Sequence, residues 1–497
     1  MKNFFENLIL HPILDAIQNH PILNAFCIDE QFFTYQQLGE NISKIRSKVR
    51  LLNDIYFGLV VNDDIETYAS IIALWMEGKA FVPLHPKQPT ERNKEIIAQM
   101  DIQHILDSSI KTLYKTYEVT STSKLAYSKN CLDKVAKFDE QSIAYILFTS
   151  GSTGQPKGVM ISRENLGAFM DSFWDTGIHI DENDRCLQTF DLTFDVSVQS
   201  FLTPLTRGAC TYTVPHEQIK YSYVYGLLED HKITFGAFAP SMLRYLKPYF
   251  DEIHLPKMKV CIVTAEASPL DLIQEWHECI PNATIYDMYG PTEATIYCTY
   301  YKMERNESHK TLNGMLSIGK PFKNIHTIIV GDDQEAVSDG EKGELCVAGE
   351  QVTPGYWNNS NLNQTSFFEK EHNGEVKRFY HTGDLCFTQD GDLMLIGRKD
   401  SQVKIQGYRV ELGEIEFHAR EFLKETNVII LPFNNKSNNT ELAVLLESKE
   451  RETSPLMEYL RLKVPPYMVP TKTLFVPKFP INSSDKVDRT KLKTLLQ

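Results

Sequence analysis

A loop of glycine and hydroxyl residues directly after a buried strand constrains the fold of this chain more than any other segment. The apolar run 143–148 is typical of a buried strand, and residues 149–158 contain three glycines and Lys157 among serines and threonines. Glycine lets the backbone approach a ligand closely, so that N–H groups, hydroxyls and a cation can surround phosphate oxygens. The spacing differs from a Walker A loop, and a flexible Ser/Gly linker rarely follows a buried strand directly. The segment therefore predicts a phosphate-binding loop.

Composition and charge exclude several classes of protein. The 497 residues exceed what one compact core organises, so about two to four domains or subdomains are expected. The formal net charge of −14 argues against nucleic acid or an anionic membrane as partner. Nine scattered cysteines without a Cys-Xaa-Xaa-Cys pair favour reduced thiols, and no apolar run is long enough for a membrane span or a signal peptide. We therefore expect a cytoplasmic protein with neither nucleic acid nor membrane as partner.

Short apolar runs alternate with amphipathic stretches over most of the chain, which predicts an α/β fold. Strands are predicted at 57–61, 80–83, 143–148, 209–214, 260–264 and 284–286, and helices at 65–77 and 270–279. From about residue 300 the strands become denser, which indicates a β-rich subdomain. After a turn at 397–400 the pattern changes to a small α+β unit, with helices predicted at 412–424 and 455–463. We expect a large N-terminal core over 1–397, a hinge at 398–400 and a small C-terminal domain over 401–497.

Four further motifs follow the loop along the chain. They are Tyr289-Gly290-Pro291-Thr292-Glu293-Ala294-Thr295, Tyr380-His381-Thr382-Gly383-Asp384-Leu385, Lys404-Ile405-Gln406-Gly407-Tyr408-Arg409-Val410-Glu411 and Ile481-Asn482-Ser483-Ser484-Asp485-Lys486-Val487-Asp488-Arg489. In this order, and over essentially the whole chain, they resemble the adenylate-forming superfamily, which includes acyl-CoA synthetases, luciferases and the adenylation domains of nonribosomal peptide synthetases. The resemblance implies an AMP-forming ligase that uses ATP and Mg²⁺.

The same resemblance implies which residues surround the nucleotide. The phosphates would be held by Thr149, Ser150, Gly151, Ser152, Thr153, Gly154, Lys157 and Thr292, and the adenine and ribose by Asp287, Tyr289, Asp384 and Arg398. A flat phenol ring can stack on a purine, and a carboxylate can accept from two vicinal hydroxyls. Glu293 would supply a hard oxygen to Mg²⁺.

The C-terminal motifs imply a mobile lid that serves two half-reactions. Asp400 would be the hinge, and Lys404 and Gly407 would act when a thiol attacks the activated acyl group. Lys486 would be the catalytic lysine of the adenylation step. The sequence departs from the family at Ser484-Asp485, where Asn-Gly usually precedes this lysine.

Asp195 favours an amino acid as the activated carboxylate. The segment Phe194-Asp195-Val196-Ser197-Val198 resembles the motif whose aspartate binds a substrate α-ammonium group, although Asp191 or Asp195 could instead cap the next helix. By the same resemblance the pocket would be lined by Asp195, Val196, Gln199, Ala237, Val263, Ala265, Met288, Ile296 and Tyr297. This lining is mostly apolar and carries no second charge, so proline or another small apolar amino acid is expected. The chain resembles D-alanine– and proline–carrier protein ligases.

Two other functions stay open. The chain could be an acyl- or aryl-CoA ligase, which Asp195 opposes, or a catalytically silent nucleotide-binding protein, which only Asp485 favours. Because no carrier-domain motif follows Arg489, the expected acceptor is the phosphopantetheine arm of a separate carrier protein.

Overall fold

The computed structural model describes residues 3–127, 129–151, 155–305, 307–400, 402–424, 426–481 and 487–496. Its contacts divide the chain into two compact units. The first comprises Met1–Pro86, Met100–Leu147 and Gly158–Lys399; the second comprises Lys87–Gln99, Phe148–Lys157 and Asp400–Gln497. The second unit therefore contains the C-terminal segment together with two short segments from the N-terminal part of the chain.

A nine-stranded sheet forms one layer of the first unit. Its strands, in spatial order, are Lys320–Pro321, Thr299–Met303, Thr284–Tyr289, Val260–Thr264, Phe235–Phe238, Arg185–Gln188, Cys210–Thr213, Asn24–Ile28 and Gln31–Thr34. The central strands are parallel, and antiparallel pairing is confined to the two edges. Val260–Thr264 is buried at every position, as expected for a parallel strand covered on both faces.

A second sheet has seven strands. In spatial order they are Gly355–Tyr356, Lys157–Ser162, Ile143–Thr149, Ala80–Leu84, Tyr56–Val60, His104–Asp107 and Glu118–Ser121. Parallel pairs run from Ile143–Thr149 to the edge strand Glu118–Ser121. The Trp75 indole fixes a helix to this sheet, because its N–H donates to the Ala144 carbonyl at 3.0 Å.

The strands become antiparallel in the last part of the first unit. A five-stranded sheet contains Ile325–Val330, Gly343–Gly349, Glu375–Gln389, Phe367–His372 and Asp392–Arg398, and Thr311–Leu312 pairs with Met315–Leu316. This part is the β-rich subdomain that the sequence predicts. Together with the two large sheets it confirms the α/β fold class.

Helices connect and cover the sheets. The α-helices are His11–Asn19, Tyr35–Val49, Ile65–Met76, Thr90–Met100, Arg163–Asp175, Val196–Leu205, Lys220–Asp230, Pro240–Leu246, Leu270–Cys279, Ser360–Ser366, Leu412–Leu423, Ser454–Lys463 and Arg489–Thr494. Short 3₁₀ turns occupy Thr122–Lys124, Lys247–Tyr249, Thr292–Ala294 and Pro466–Met468, and Glu6–Leu10 is a π-helical turn. Thr34 and Ser162 start their helices with complete capping boxes, which satisfy the first backbone N–H groups. Among the described helices, none has the length and apolarity needed to cross a bilayer.

The C-terminal segment of the second unit begins with a tight hairpin. Gln402–Ile405 pairs with Tyr408–Glu411, and both loop residues have positive φ, 51° at Gln406 and 85° at Gly407. Positive φ at both loop residues defines a type I′ turn. Glycine adopts positive φ without steric cost, which explains its presence at position 407. A three-stranded sheet of Val428–Asn434, Thr440–Glu447 and Lys472–Val476 follows.

Predicted boundaries agree with the structure where apolar residues run without interruption. The strand 260–264 and the helix 270–279 have their predicted ends, whereas the strand predicted at 284–286 extends to Tyr289. The predicted start of the turn at 397–400 was wrong, because it lies two residues too early. Gly397 and Arg398 still belong to a strand, because Arg398 is paired in register with Asp384.

A buried ion pair inside the second unit yields a stability prediction. Arg92 Nη1 lies 2.5 Å from Glu414 Oε1, and the two side chains are only 6% and 0% exposed. Arg92→Met should lower the free energy of unfolding by about 3 kcal/mol, because it leaves a buried carboxylate without its cation. Urea unfolding followed by circular dichroism measures this loss.

The matched control is Lys94→Met on the same helix. Lys94 forms an ion pair with Glu91 at 2.8 Å, but both side chains are exposed, so this substitution should change stability by less than about 1 kcal/mol. Equal stability of the two variants would contradict a larger stabilisation by the buried Arg92–Glu414 pair than by the exposed pair.

Candidate active site

The strand Thr284–Tyr289 ends in a sharp turn, and together they carry the predicted nucleotide-binding residues Tyr289 and Thr292 and the predicted metal ligand Glu293. A Cβ atom on Gly290 would lie 2.4 Å from the Ile296 carbonyl oxygen and 2.6 Å from the Tyr297 Cα, so only glycine fits. The chain then forms the 3₁₀ turn Thr292–Ala294 and folds back, with positive φ of 55° at Thr295 and 72° at Ile296. This geometry holds Tyr289, Thr292 and Glu293 in one rigid turn.

Tyr289, Asp384 and Arg398 form one hydrogen-bonded cluster. The Tyr289 hydroxyl donates to Asp384 Oδ2 at 2.5 Å, and Arg398 Nη1 donates to Asp384 Oδ1 at 2.8 Å. Burial, with the nearby Asp384 charge, raises the Tyr289 pKa well above its ordinary value, so the phenol stays a donor. Because the Arg398 and Asp384 side chains are only 18% and 11% exposed, this is not a solvated surface pair. Asp287 is buried on the same strand as Tyr289.

Glu293 is a buried carboxylate fixed by a phenol. The Tyr356 hydroxyl donates to Glu293 Oε1 at 2.7 Å, and the Thr353 N–H donates to the Glu293 carbonyl at 2.8 Å. Burial is the main cause that raises the Tyr356 pKa well above its usual range, so this donor is retained. A single buried carboxylate is a donor that fits Mg²⁺, because this ion commonly takes one or two carboxylates plus substrate phosphates.

The predicted phosphate loop is engaged by carboxylates of the C-terminal segment. Its residues Ser152, Thr153 and Gly154 lie outside the described residues, and Thr149 is the last residue of its strand. The Gly151 N–H donates to Glu414 Oε2 at 3.2 Å, and Lys157 Nζ lies 3.9 Å from Glu411 Oε1. Ser150 Oγ donates to the Arg409 carbonyl at 2.9 Å and accepts from the Glu411 N–H at 3.0 Å.

Glu411 and Glu414 were missed by sequence reasoning. Glu411 is the last residue of the motif that begins at Lys404, and Glu414 follows it by three positions, so this motif was the available signal although neither residue was given a role. The Glu414 carboxylate accepts from the Gly151 N–H, and the Glu411 carboxylate lies near the Lys157 amine; both loop groups were predicted to bind phosphate oxygens. Burial is the main cause that raises the Glu411 pKa, although Lys157 acts in the opposite direction.

The predicted hinge residue and the two predicted residues of the thiol-transfer step lie on or next to the hairpin. Asp400 precedes it and accepts from the Gln402 N–H at 3.0 Å; Lys404 lies in its first strand and Gly407 at its tip. Lys486 lies outside the described residues.

Asp195 lies in the first unit, buried at the start of the helix Val196–Leu205. It occupies the N-cap position but makes no side-chain capping hydrogen bond, so the alternative role as a helix cap is wrong for this residue. Its charge contributes to raising the pKa values of the Tyr145 and Tyr297 phenols, after burial as the main cause. The Asp195 carboxylate therefore lies close enough to the Tyr145 and Tyr297 hydroxyls to interact with them electrostatically.

The other predicted pocket residues come from that helix and from neighbouring strand ends. Val196 and Gln199 lie on the helix; Ala237, Val263 and Met288 lie on three adjacent parallel strands; Ala265, Ile296 and Tyr297 lie in loops. All are buried except Ala265, which is half-buried and has a positive φ of 70°. The Tyr297 hydroxyl approaches Gln199 Oε1 at 3.4 Å.

Tyr145 was not predicted as a site residue. It lies in the buried strand before the loop, and its hydroxyl has no hydrogen-bond partner among the described residues. Its hydroxyl group is polar whereas the rest of the run 143–148 is mostly apolar, and this contrast was the sequence signal that could have identified it.

Comparison with protein families decides where the chain belongs. The family model of AMP-binding enzymes matches residues 15–357. The chain is an AMP-binding enzyme. Among curated relatives, the enzyme is 27% identical to the D-alanine–D-alanyl carrier protein ligase of Bacillus licheniformis, over 98% of this chain and 99% of that protein. It is 28% identical to tyrocidine synthase 1 of Brevibacillus parabrevis over 94% of this chain, but it spans only 43% of that relative's length.

A solved structure has the same fold as this AMP-binding enzyme. It is the Vibrio cholerae adenylation domain AlmE in complex with glycyl-adenosine-5′-phosphate. The two structures superpose with a TM-score of 0.86 at 24% sequence identity, and the aligned residues make up 98% of this chain and 97% of the AlmE chain. At this identity the similarity shows the fold alone.

The prediction that Asp384 accepts hydrogen bonds from the ribose hydroxyls can be tested by substitution of this residue. Asp384→Asn should weaken ATP binding by about 10- to 100-fold, because a hydrogen bond to a charged acceptor contributes about 1.5–3 kcal/mol. Calorimetric titration with ATP and with 2′-deoxy-ATP distinguishes the loss of a contact to the ribose 2′-hydroxyl from a general loss of nucleotide binding. The preference for ATP over the deoxynucleotide should shrink in the variant.

Asp392→Asn is the matched control. Asp392 is a buried aspartate on the neighbouring strand, and its carboxylate pairs with Lys310 at 2.6 Å, outside the cluster. The control should keep the full ratio of affinities; a ratio unchanged in Asp384→Asn would contradict a ribose contact.

Proposed function

We propose that this AMP-binding enzyme uses ATP to activate a small or medium apolar amino acid and then transfers the aminoacyl group to the phosphopantetheine thiol of a separate carrier protein. In the first step the substrate carboxylate attacks the α-phosphorus, and the bond to the bridging oxygen of pyrophosphate breaks. In the second step the thiol sulfur attacks the acyl carbon, and AMP leaves. The protein positions groups and neutralises charge, and neither step requires a protein nucleophile.

The nucleotide roles follow the clusters of the first unit. Tyr289 and Asp384 would hold the adenosine, and Thr292 would donate to a phosphate oxygen. Mg²⁺ held by Glu293 would neutralise charge on the phosphate oxygens. Lys486 would bridge the substrate carboxylate and the α-phosphate.

The observation that carries the choice of an amino acid is the buried Asp195 carboxylate. It is 3% exposed and does not serve as a helix cap. A buried carboxylate is strongly favoured opposite a cation, and an α-ammonium group supplies one, whereas a plain acyl chain does not. The curated relative named as a D-alanine ligase supports the same substrate class.

The pocket lining favours a small apolar side chain. Gln199 and Tyr297 are fully buried and contact each other, so we expect them to leave little room for a large substrate side chain. The neighbouring Val263, Met288 and Ile296 are apolar and buried, so a charged side chain would lose its hydration without compensation. Proline or an amino acid of similar size fits this description.

The C-terminal segment would act as a lid with its hinge at Asp400. In the second unit, Glu411 and Glu414 contact the Lys157 amine and the Gly151 N–H. Phosphate oxygens would need the same groups, so we expect these carboxylates to leave before the β- and γ-phosphates bind. The contacts therefore fit the second half-reaction, when pyrophosphate has gone and Lys404 and Gly407 would serve the incoming thiol.

Amino-acid-dependent exchange of pyrophosphate into ATP tests the activity and the role of Asp195. We expect exchange with L-proline, alanine of either hand or a branched-chain residue. Asp195→Asn should lower kcat/KM for the amino acid by about 100-fold or more, because it leaves the substrate ammonium group opposite a neutral amide.

The matched substrate control is the desamino acid of the preferred amino acid. Asp195→Asn should process this plain carboxylate at least as well as the wild-type enzyme does. Preferred turnover of a plain carboxylate with coenzyme A by the wild type would instead identify an acyl- or aryl-CoA ligase. Clear preference for a charged amino acid would overturn the pocket assignment.

Lys486→Ala tests the proposed catalytic lysine. Exchange should fall to background because charge on the α-phosphoryl group is no longer neutralised, whereas ATP affinity should change little. Lys478→Ala, an upstream lysine outside the motif, is the control. Normal exchange in Lys486→Ala would contradict the role, and background exchange of the wild type with every amino acid would indicate a silent nucleotide-binding protein.

A further inference from the structure

Two histidines and an aspartate converge in the first unit, outside the residues assigned to the nucleotide and the amino acid. His85 follows the strand Ala80–Leu84, His216 follows the strand Cys210–Thr213, and Asp191 precedes the helix Val196–Leu205. One donor atom from each lies within 4.8 Å of the other two. The strand Ala80–Leu84 belongs to the seven-stranded sheet and Cys210–Thr213 to the nine-stranded one, so the cluster joins loops from both sheets.

The separations within the cluster suit a shared cation better than direct hydrogen bonds. His85 Nε2 lies 3.7 Å and His216 Nδ1 lies 3.9 Å from Asp191 Oδ1. Hydrogen bonds between nitrogen and oxygen rarely exceed about 3.2 Å. Two ligands of a tetrahedral Zn²⁺ ion, each bound at about 2.0–2.1 Å, lie about 3.4 Å apart. The two separations from Asp191, 3.7 and 3.9 Å, exceed this value by about 0.3 and 0.5 Å, and all three donor atoms lie within 4.8 Å of one another.

The hydrogen bond of His216 orients its other ring nitrogen toward Asp191. His216 Nε2 lies 3.1 Å from the Val61 carbonyl oxygen, and because a carbonyl only accepts, Nε2 must carry the hydrogen. In the neutral ring, Nδ1 then presents a lone pair to the Asp191 carboxylate. Metal-binding histidines commonly donate their second N–H to a backbone carbonyl in this way.

One further cation and one further carboxyl group interact with the Asp191 side chain. The Lys220 amine interacts favourably with its negative charge. The carboxyl group of Asp63, to which the Tyr68 hydroxyl donates, also lies near Asp191. Lys220 is therefore the positive charge that competes with a bound ion for Asp191.

An ion can reach these side chains from solvent, since His85, His216 and Asp191 are 10%, 14% and 22% exposed. Two imidazoles and one carboxylate suit Zn²⁺ or a similar transition-metal ion, whereas Mg²⁺ and Ca²⁺ prefer oxygen ligands. Three protein ligands leave the fourth tetrahedral position to water.

We propose that His85, Asp191 and His216 form a binding site for one divalent transition-metal ion, with Zn²⁺ as the preferred ion. The site is distinct from the Mg²⁺ position proposed at Glu293. Asp191 lies four residues before Asp195, so a bound ion would fix the segment that leads to the substrate aspartate and join it to loops of both sheets. Metal binding itself does not depend on the proposed enzymatic activity.

Metal titration of the full chain tests the site. After removal of bound metal with a chelator and dialysis, calorimetry with Zn²⁺ and visible absorption with Co²⁺ should each detect one ion per chain. The Co²⁺ spectrum should have the intense bands of a four-coordinate ion. Zn²⁺ should raise the melting temperature, because an ion that binds only the folded state stabilises it.

Three variants separate the proposed ligands from other histidines. Asp191→Asn and His216→Asn should each weaken Zn²⁺ binding by more than about tenfold. The exposed His254→Asn, as control, should bind like the wild type. Circular dichroism and melting in chelator establish that each variant is folded.

Lys220→Gln should change Zn²⁺ affinity in the opposite direction to the ligand variants, and a misfolded protein would not show this gain. Removal of the competing positive charge should tighten Zn²⁺ binding. Absence of a bound ion in the wild type, or equal affinity in wild type, Asp191→Asn and His216→Asn, would overturn the proposal and leave the cluster as a charged network without metal.

Discussion

The parallel pairing of three adjacent strands determines where the candidate site of the first unit lies. Phe235–Phe238, Val260–Thr264 and Thr284–Tyr289 run in the same direction, so their carboxyl ends meet at one edge of the nine-stranded sheet. This edge carries pocket positions such as Ala237 and Met288 and continues into the turn that holds Glu293. In open α/β sheets, ligands bind where strands end, because the loops there are free to vary while the strands are not.

Much of this arrangement is predictable because it depends on local sequence. Val260–Thr264 has its predicted ends, since an uninterrupted apolar run of this length is typical of a buried strand. The strand Thr284–Tyr289 was predicted too short, because Asp287 introduces a charge into a segment that tertiary contacts nevertheless bury. Asp195 was identifiable because its neighbouring residues form a motif, although only the structure excludes its role as a helix cap.

Contacts between distant residues could not be predicted in the same way. Arg398 reads as part of a turn in the sequence, yet its partner Asp384 on the adjacent strand keeps it in the sheet. Glu414 contacts Gly151 from 263 positions along the chain, and His85, Asp191 and His216 share no motif. A single sequence carries periodicity and local motifs, but it contains no signal for which distant charges meet. The polar networks are therefore the part of the site that the structure adds.

The backbone turn at Gly290 limits how substrate preference can be altered. The space that a side chain would need is already filled by the backbone of Ile296 and Tyr297, so any replacement must move the main chain rather than resize a pocket. Such a movement would displace Tyr289 and Glu293 together, so it would disturb the proposed positions of the nucleotide and of Mg²⁺ before it altered the proposed amino acid pocket. Position 290 is consequently closed to variation, whereas Gln199 and Val263 lie on regular elements whose side chains can be exchanged one at a time. A library for new substrates should therefore vary the helix and the strands and leave the turn unchanged.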